Sequence, residues 1–205
     1  MITEEQRQEY VTEFENILGS FPREGSDALL AYIRKSDFYT APASTKFHGA
    51  FSGGLLMHSL NVYRCLAAKK TAPIWKEFLA DIPDGSIAYA ALLHDICKTY
   101  YYGTERRNRK NEAGQWEQYD AYTVDDRIPY GHGEKSVMIL QEYVHLTGPE
   151  KYAVRWHMGA FDLPPESKYS MSAASEMYPL VLALQEADQE ATHLMEKEER
   201  KRNDT

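Results

Sequence analysis

The chain is poor in thiols. Cys65 and Cys97 are its two cysteines in 205 residues. Both fall in apolar stretches expected to be helical, and neither has a partner at metal-ligand spacing. That excludes a disulfide framework and a thiolate zinc site, and it suits reduced cysteines in a cytoplasmic protein. Long apolar runs are missing too. No stretch approaches the ~18 residues of a membrane span, and the acidic, polar start Met1-Ile2-Thr3-Glu4-Glu5 is unlike a secretory signal. No membrane partner is therefore expected. Positive charge is also in deficit: 23 Lys and Arg against 31 Asp and Glu leave a net charge of -8. A broad, sequence-independent grip on nucleic acid needs many cations. A small phosphorylated ligand held by a few local groups is still compatible with this balance. No internal repeat and no shift in composition marks a second domain. A chain of this length with 43% hydrophobic residues suits one domain, able to bury a core.

The apolar residues that are present recur mostly at helical spacing. Tyr10, Val11, Phe14, Ile17 and Leu18 predict a helix over 3–18, with Thr3 and Gln6 as a capping box. Leu29, Leu30 and Ile33 predict a second over 26–35. These two are packing helices. A loop over 36–52 ends at Gly53-Gly54, where the chain turns into a helix over 55–68. Ile74, Trp75, Phe78 and Leu79 predict a helix from Pro73, and Asp84 or Ser86 is expected to cap the next one. Further helices are expected over 133–146, around 152–158 and over 178–195, with a Pro- and Ser-rich rim loop over 161–175 and a charged tail from 196. The helical pattern lapses over about 100–124. There Trp116, Tyr119, Tyr122 and Val124 suit a strand, and Gly114 a positive-φ turn, so an inserted β-hairpin is expected. Arg106, Arg107, Arg109 and Lys110 could meet a phosphate chain or nucleic-acid backbone; equally, they suit a solvated strand face.

Several polar residues sit where the pattern demands core. Ala91-Leu92-Leu93-His94-Asp95-Ile96-Cys97-Lys98 carries an adjacent histidine and aspartate on a helix whose pattern predicts burial. Burying an ionised carboxylate costs several kcal/mol unless something pairs with it. Adjacent helical residues do not face each other, so Asp95 is not expected to neutralise His94 directly. A divalent cation beside the helix would accept both; a hydrogen-bonded core pair is the plainer alternative. The same mixture recurs at His58, His132, His157 and Asp188, each in or beside an apolar segment.

The order His58, His94-Asp95, His132, His157, Asp188 resembles the HD-domain phosphohydrolase superfamily in its two-metal form. So do the surrounding words Gly-Gly-Leu-Leu-x-His-Ser, Leu-Leu-His-Asp-x-x-Lys and Gly-His-Gly-Glu-Lys-Ser, together with the closing Ala-Asp. The likeness spans about 46–191; Cys97 departs from it where many relatives carry glycine. It implies an all-α, HD-like bundle forming one domain over 1–205, with 1–35 as packing helices, 46–191 as metal-binding core and 196–205 as tail. It also implies one or two divalent ions, with manganese or iron suiting a set without thiolates and magnesium, cobalt, nickel or zinc as further candidates. His58, His94, Asp95 and Asp188 would hold one ion, and Asp95, His132 and His157 the other. The activity implied is hydrolysis of a phosphoester, on a nucleotide or related substrate, by a metal-activated water.

Around those six residues, Asp95 and Lys98 are the candidate catalytic groups. Lys98 would hold a phosphate oxygen, or serve as a helix C-terminal cation. Lys46 and His48, in the loop before His58, would bind substrate, with a packing role as the alternative for His48. Arg155 would be either a substrate-side cation or a member of a surface ion pair. Glu134 could transfer a proton or stabilise a helix start. The same ligand order also resembles the mixed-valent di-iron oxygenases of the superfamily. A third alternative is a metal-stabilised module that binds a partner or a nucleic-acid end.

Overall fold

The computed structural model describes residues 1–111, 113–159 and 167–196. Helix α1 (Glu4–Gly19) starts at the expected capping box: Thr3 Oγ1 accepts from the Gln6 N–H (3.1 Å), and Gln6 Oε1 accepts from the Thr3 N–H (2.9 Å). Two N–H groups that the helix leaves unpaired are satisfied in this way. Its buried stripe is Phe14 and Leu18, and α2 (Ser26–Lys35) adds Leu29 and Ile33.

Helix α3 (Gly54–Lys69) is buried continuously from Gly54 to Val62 and packs against α1, α4 (Asp84–Leu93) and α8 (Pro179–Glu190). A helix apolar almost all round belongs inside. Its entrance needs glycine. Gly53 has φ +87°, and a Cβ on Gly54 would lie 1.9 Å from the Gly49 carbonyl oxygen. The loop over 36–52 can therefore close onto the helix start only with a bare backbone there.

The segment between α3 and α4 is a series of turns rather than the expected helix from Pro73. Ile74 and Phe78 point to solvent, 77% and 61% exposed, while Leu79 reaches the core. Short hydrogen-bonded turns such as Trp75 N–H to Ala72 O (3.0 Å) reproduce helical spacing without a helical face. Pro83 occupies the N-cap of α4 with no side-chain cap, and Asp84 pairs with Lys70 (2.6 Å) instead of capping.

Strands β1 (Tyr102–Lys110) and β2 (Trp116–Val124) form an antiparallel hairpin, Tyr102 opposite Val124 and Lys110 opposite Trp116, with Gly114 at φ +76°. Its three arginines are matched within the ribbon, Arg106 with Asp120 (3.2 Å), Arg109 with Glu117 (2.6 Å), and Arg107 with Glu105, and Lys110 lies over the Trp116 ring (5.5 Å). These exposed ion pairs fit the solvated-strand-face alternative.

Helices α5 (His132–Gln141), α6 (Gly148–Trp156) and α7 (Ser167–Met177) follow. Helix α5 ends five residues earlier than its pattern suggested, although Val144 and Leu146 remain buried. Of the expected rim loop, 161–166 lies outside the described residues, and the rest belongs to α7, whose Ala174 is buried. Helix α8 passes into a π turn over Ala191–Met195. Away from the site, fully buried Glu150 accepts both guanidinium nitrogens of Arg23 (2.8 Å each), and Arg23 lies over the Tyr89 ring (3.8 Å). This clamp ties the α1–α2 connection to α6 and α4. Among the described residues the architecture is all-helical apart from the hairpin, as expected.

Candidate metal centre

The six residues singled out in sequence lie together, on or beside α3, α4, α5, α6 and α8. Asp95 is at the centre, 2% exposed. Its Oδ1 is 2.6 Å from His132 Nε2 and 3.4 Å from His157 Nε2. Its Oδ2 is 2.6 Å from Lys98 Nζ, 3.4 Å from His94 Nε2 and 3.9 Å from His58 Nε2. Asp188 Oδ1 is 3.2 Å from His58 Nε2. The imidazoles follow one another round the carboxylate, with ring centroids 4.8–5.4 Å apart from His48 through His58, His94 and His157 to His132.

One expectation about the centre needs correcting. Helix α4 stops at Leu93, with His94 as its C-cap, and Asp95 leaves the helical region at φ -105°, ψ 18° before a 3-10 turn over Ile96–Lys98. Because the two residues are not consecutive members of one helix, Asp95 does turn toward His94. Lys98 meets Asp95 from within the same 3-10 turn.

The break also fixes the imidazoles. His94 Nδ1 donates to Ala91 O, and His157, the C-cap of α6, donates from Nδ1 to Val154 O, both at 2.7 Å. The last carbonyls of a helix have no partner within it, so each is free to accept. A carbonyl cannot donate, so Nδ1 of each ring carries a proton, and in the neutral form that a metal ligand takes Nε2 presents a lone pair. Both Nε2 atoms are buried, without a hydrogen-bond partner, and each faces an oxygen of Asp95. Electron pairs facing electron pairs in a dry site are unfavourable, and each unpaired polar atom costs ~1–3 kcal/mol. A divalent cation among them removes the conflict for both nitrogens and the carboxylate at once, so the residues fit such an ion. Three-residue sets with ligand atoms within 4.8 Å of one another include His58–His94–Asp95, His94–His157–Asp188 and Asp95–Cys97–His132.

Four residues of Gly-His-Gly-Glu-Lys-Ser help to seat His132. A Cβ on Gly133 would lie 2.1 Å from the Arg155 carbonyl oxygen, so α5 approaches α6 closely only with glycine there. Glu134 pairs with Arg155, Lys135 with Asp126, and Ser136 Oγ accepts from the Cys97 N–H (3.3 Å). The start of α5 is thus held against both α6 and the Asp95 turn.

Charge follows the geometry. Burial raises the pKa of Asp95, but the Lys98 ammonium and the hydrogen bond from His132 outweigh it and hold the carboxyl well below its usual range. Asp188 is also lowered, since its hydrogen bond to His58 outweighs burial. Burial lowers His58, yet Glu196 and Asp188 outweigh it and raise the ring to about 10. His48 falls to about 4 through burial and the neighbouring His58 charge. Burial pushes the Cys97 thiol up to about 12.

The substrate-side candidates divide. His48 packs on the His58 ring with Nε2 buried and unpartnered. Lys46 is exposed on the same loop and makes none of the cluster's contacts. Arg155 is paired with Glu134 and lies 3.9 Å over the Trp156 ring, which is the ion-pair alternative. His132, with 29% of its side chain exposed, marks the open side, whereas His94 and His157 are fully enclosed. Sequence reasoning missed three neighbours. Tyr102 hydrogen-bonds Ala43 O (3.0 Å) at the base of the hairpin, Cys97 Sγ lies 3.2 Å from His132 Nδ1, and Glu196 Oε1 lies 3.1 Å from His58 Nδ1. The tyrosine run over 100–102 is a visible signal for the first and the cysteine in place of the family's glycine for the second; Glu196 carries none.

No family model and no solved structure matches the chain. A stretch of 85 residues is 32% identical to a dihydroneopterin 2',3'-cyclic phosphate phosphodiesterase of Methanocaldococcus jannaschii. The match covers 42% of this chain and 31% of that protein.

Proposed function

We propose that this chain is a metal-dependent phosphohydrolase of the HD type, acting on a phosphoester of a nucleotide or similar small phosphorylated molecule. The observation that carries the reading is the pair of buried, unpartnered Nε2 atoms on His94 and His157 facing Asp95. The partial likeness to a phosphodiesterase supports the same class of reaction. His58, His94 and Asp188 would hold one ion, His132 and His157 a second, with Asp95 offering an oxygen to each; a nitrogen and oxygen set suits manganese or iron. Bound there, such ions supply an acidified water and Lewis-acid polarisation of a phosphoryl oxygen.

The chain's own groups do the rest. Backbone carbonyls at Ala91 and Val154 keep two imidazoles in one tautomer, so their orientation is set before substrate arrives. Lys98 holds an ammonium beside Asp95, where it can take a phosphate oxygen as charge develops. His48, neutral near pH 7, offers a nitrogen to a substrate oxygen. Burial of all but the His132 side limits competing water.

The test is removal of metal with a chelator, reloading with Mn²⁺ or Fe²⁺, and assay against bis(p-nitrophenyl) phosphate, 2',3'-cyclic nucleotides, and nucleoside mono- and triphosphates. Hydrolysis should vanish on stripping and return on reloading. Fully metallated protein that cleaves none of these overturns the proposal.

A further inference from the structure

Each imidazole that presents Nε2 needs something to hold Nδ1. His94 and His157 cap helices and use carbonyls that their helices leave free. His58 has no such resource. It sits inside α3, where backbone carbonyls are already taken by helical hydrogen bonds. Its Nδ1 instead meets Glu196 Oε1 at 3.1 Å. Glu196 is 1% exposed, eight residues beyond Asp188.

That contact is built from two sides. Asn61, one turn after His58 on the same face of α3, donates from Nδ2 to the same Glu196 oxygen (3.0 Å). Arg64 donates to Asn61 Oδ1 (3.0 Å), which turns the Asn61 amide so that its NH₂ faces Glu196. On the other side, the π turn over Ala191–Met195 ends with the Glu196 N–H bonded to Ala191 O, five residues back (3.1 Å). In an unbroken α-helix, at about 100° per residue, Glu196 would point about 80° away from Asp188. The wider π turn advances less per residue and closes that angle. Asp188 and Glu196 then reach opposite nitrogens of one ring, at 3.2 and 3.1 Å.

We infer that Glu196 is a positioning residue of the metal centre, fixing the His58 ring through Nδ1 so that Nε2 is presented to the ion. The inference rests on the proposed metal site. Residues that orient a ligating histidine in this way typically change metal affinity ~10–100-fold when removed.

The experiment is Mn²⁺ binding to the metal-stripped protein, followed by the electron paramagnetic resonance signal of free Mn²⁺. Glu196→Ala should weaken binding by about 10–100-fold. Glu196→Gln keeps an acceptor for the same two donors without the charge, so it should lose less; its similar volume keeps the test readable should the alanine variant fail to fold. Glu190→Ala is the control. It removes an ion pair with Lys69 (2.6 Å) from the same helix end without touching His58, and it should bind Mn²⁺ as the parent does. Equal affinity for Glu196→Ala and the parent, or an equal loss in Glu190→Ala, overturns this inference alone. A parent protein that binds no Mn²⁺ overturns the metal reading and this inference together.

Discussion

Replacing Lys98 with methionine should move three measurements in different directions. Lys98 Nζ lies 2.6 Å from Asp95 Oδ2, and the two residues are 9% and 2% exposed. Without metal, removing one partner of a buried pair leaves an uncompensated charge, a loss of ~3–5 kcal/mol. For a chain of this size each kcal/mol moves Tm by ~2–4 °C, so the stripped variant should melt about 10 °C lower. With metal the sign of the second effect reverses. The ammonium and a divalent cation compete for one carboxylate; at an effective dielectric of about 20 and a separation of about 5 Å their repulsion is several kcal/mol before relaxation. Lys98→Met should therefore bind Mn²⁺ at least ~10-fold more tightly, a gain of ~1.4 kcal/mol. Phosphoester cleavage should fall by ~10²–10³-fold, because charge developing on phosphate loses its partner. Calorimetric titration, melting with and without Mn²⁺, and turnover on the same preparation read all three. A variant that binds metal more weakly than the parent, or loses equal stability with and without it, would refute the competition on which this pattern depends.

Two further perturbations address the site from other directions. Metal-stripped protein should be most stable near pH 6.5 as far as His48 and His58 decide it. His58, raised to about 10 in the fold, contributes fully below its unfolded value near 6.5 and loses that contribution as pH rises toward 10. His48, lowered to about 4, contributes above 6.5 and loses it as pH falls toward 4. Urea unfolding from pH 4.5 to 9.5 in chelator checks this, and stability climbing steadily from 6.5 to 9 contradicts it. Separately, Gly133→Ala places a Cβ 2.1 Å from the Arg155 carbonyl oxygen, a backbone atom that cannot swing aside. Overpacking of this kind costs ~1–3 kcal/mol, and it should push His132 from His157 and weaken Mn²⁺ binding; unchanged melting and affinity would show that α5 and α6 are not locked there.

The parts of the fold that could be read from sequence are those with local causes. The Thr3–Gln6 box, the Leu29–Ile33 stripe, the glycines before α3 and the Gly114 turn each carry their reason within a few residues. The histidines and aspartates were conspicuous because they interrupt apolar runs, and their gathering follows from helices that must bury those runs against each other. What could not be read was set by distant parts of the chain. The pattern at Ile74, Trp75, Phe78 and Leu79 is as helical as that of α2, yet only Leu79 is fully buried, Trp75 packs partly against the core, and Ile74 and Phe78 face solvent. Nothing in Leu-Leu-His-Asp announces that α4 stops at Leu93. The charged run that begins at Glu196 resembles solvent-facing tail, and only the π turn reveals that Glu196 is interior.

The two unreadable irregularities have a common physical logic. An α-helix consumes its own carbonyls except at its C-terminal end, so a histidine whose Nδ1 must be held has two options. It can stand at a helix end, as His94 and His157 do, or it can borrow an acceptor from another element, as His58 borrows Glu196. A regular α4 running through Asp95 would bury the Ala91 carbonyl in helical bonding and free the His94 ring to rotate. A regular α8 would carry Glu196 about 80° away from Asp188. Departures from ideal geometry at both places are therefore what a site of fixed imidazoles requires of a helical scaffold, and local consistency fails where function takes precedence.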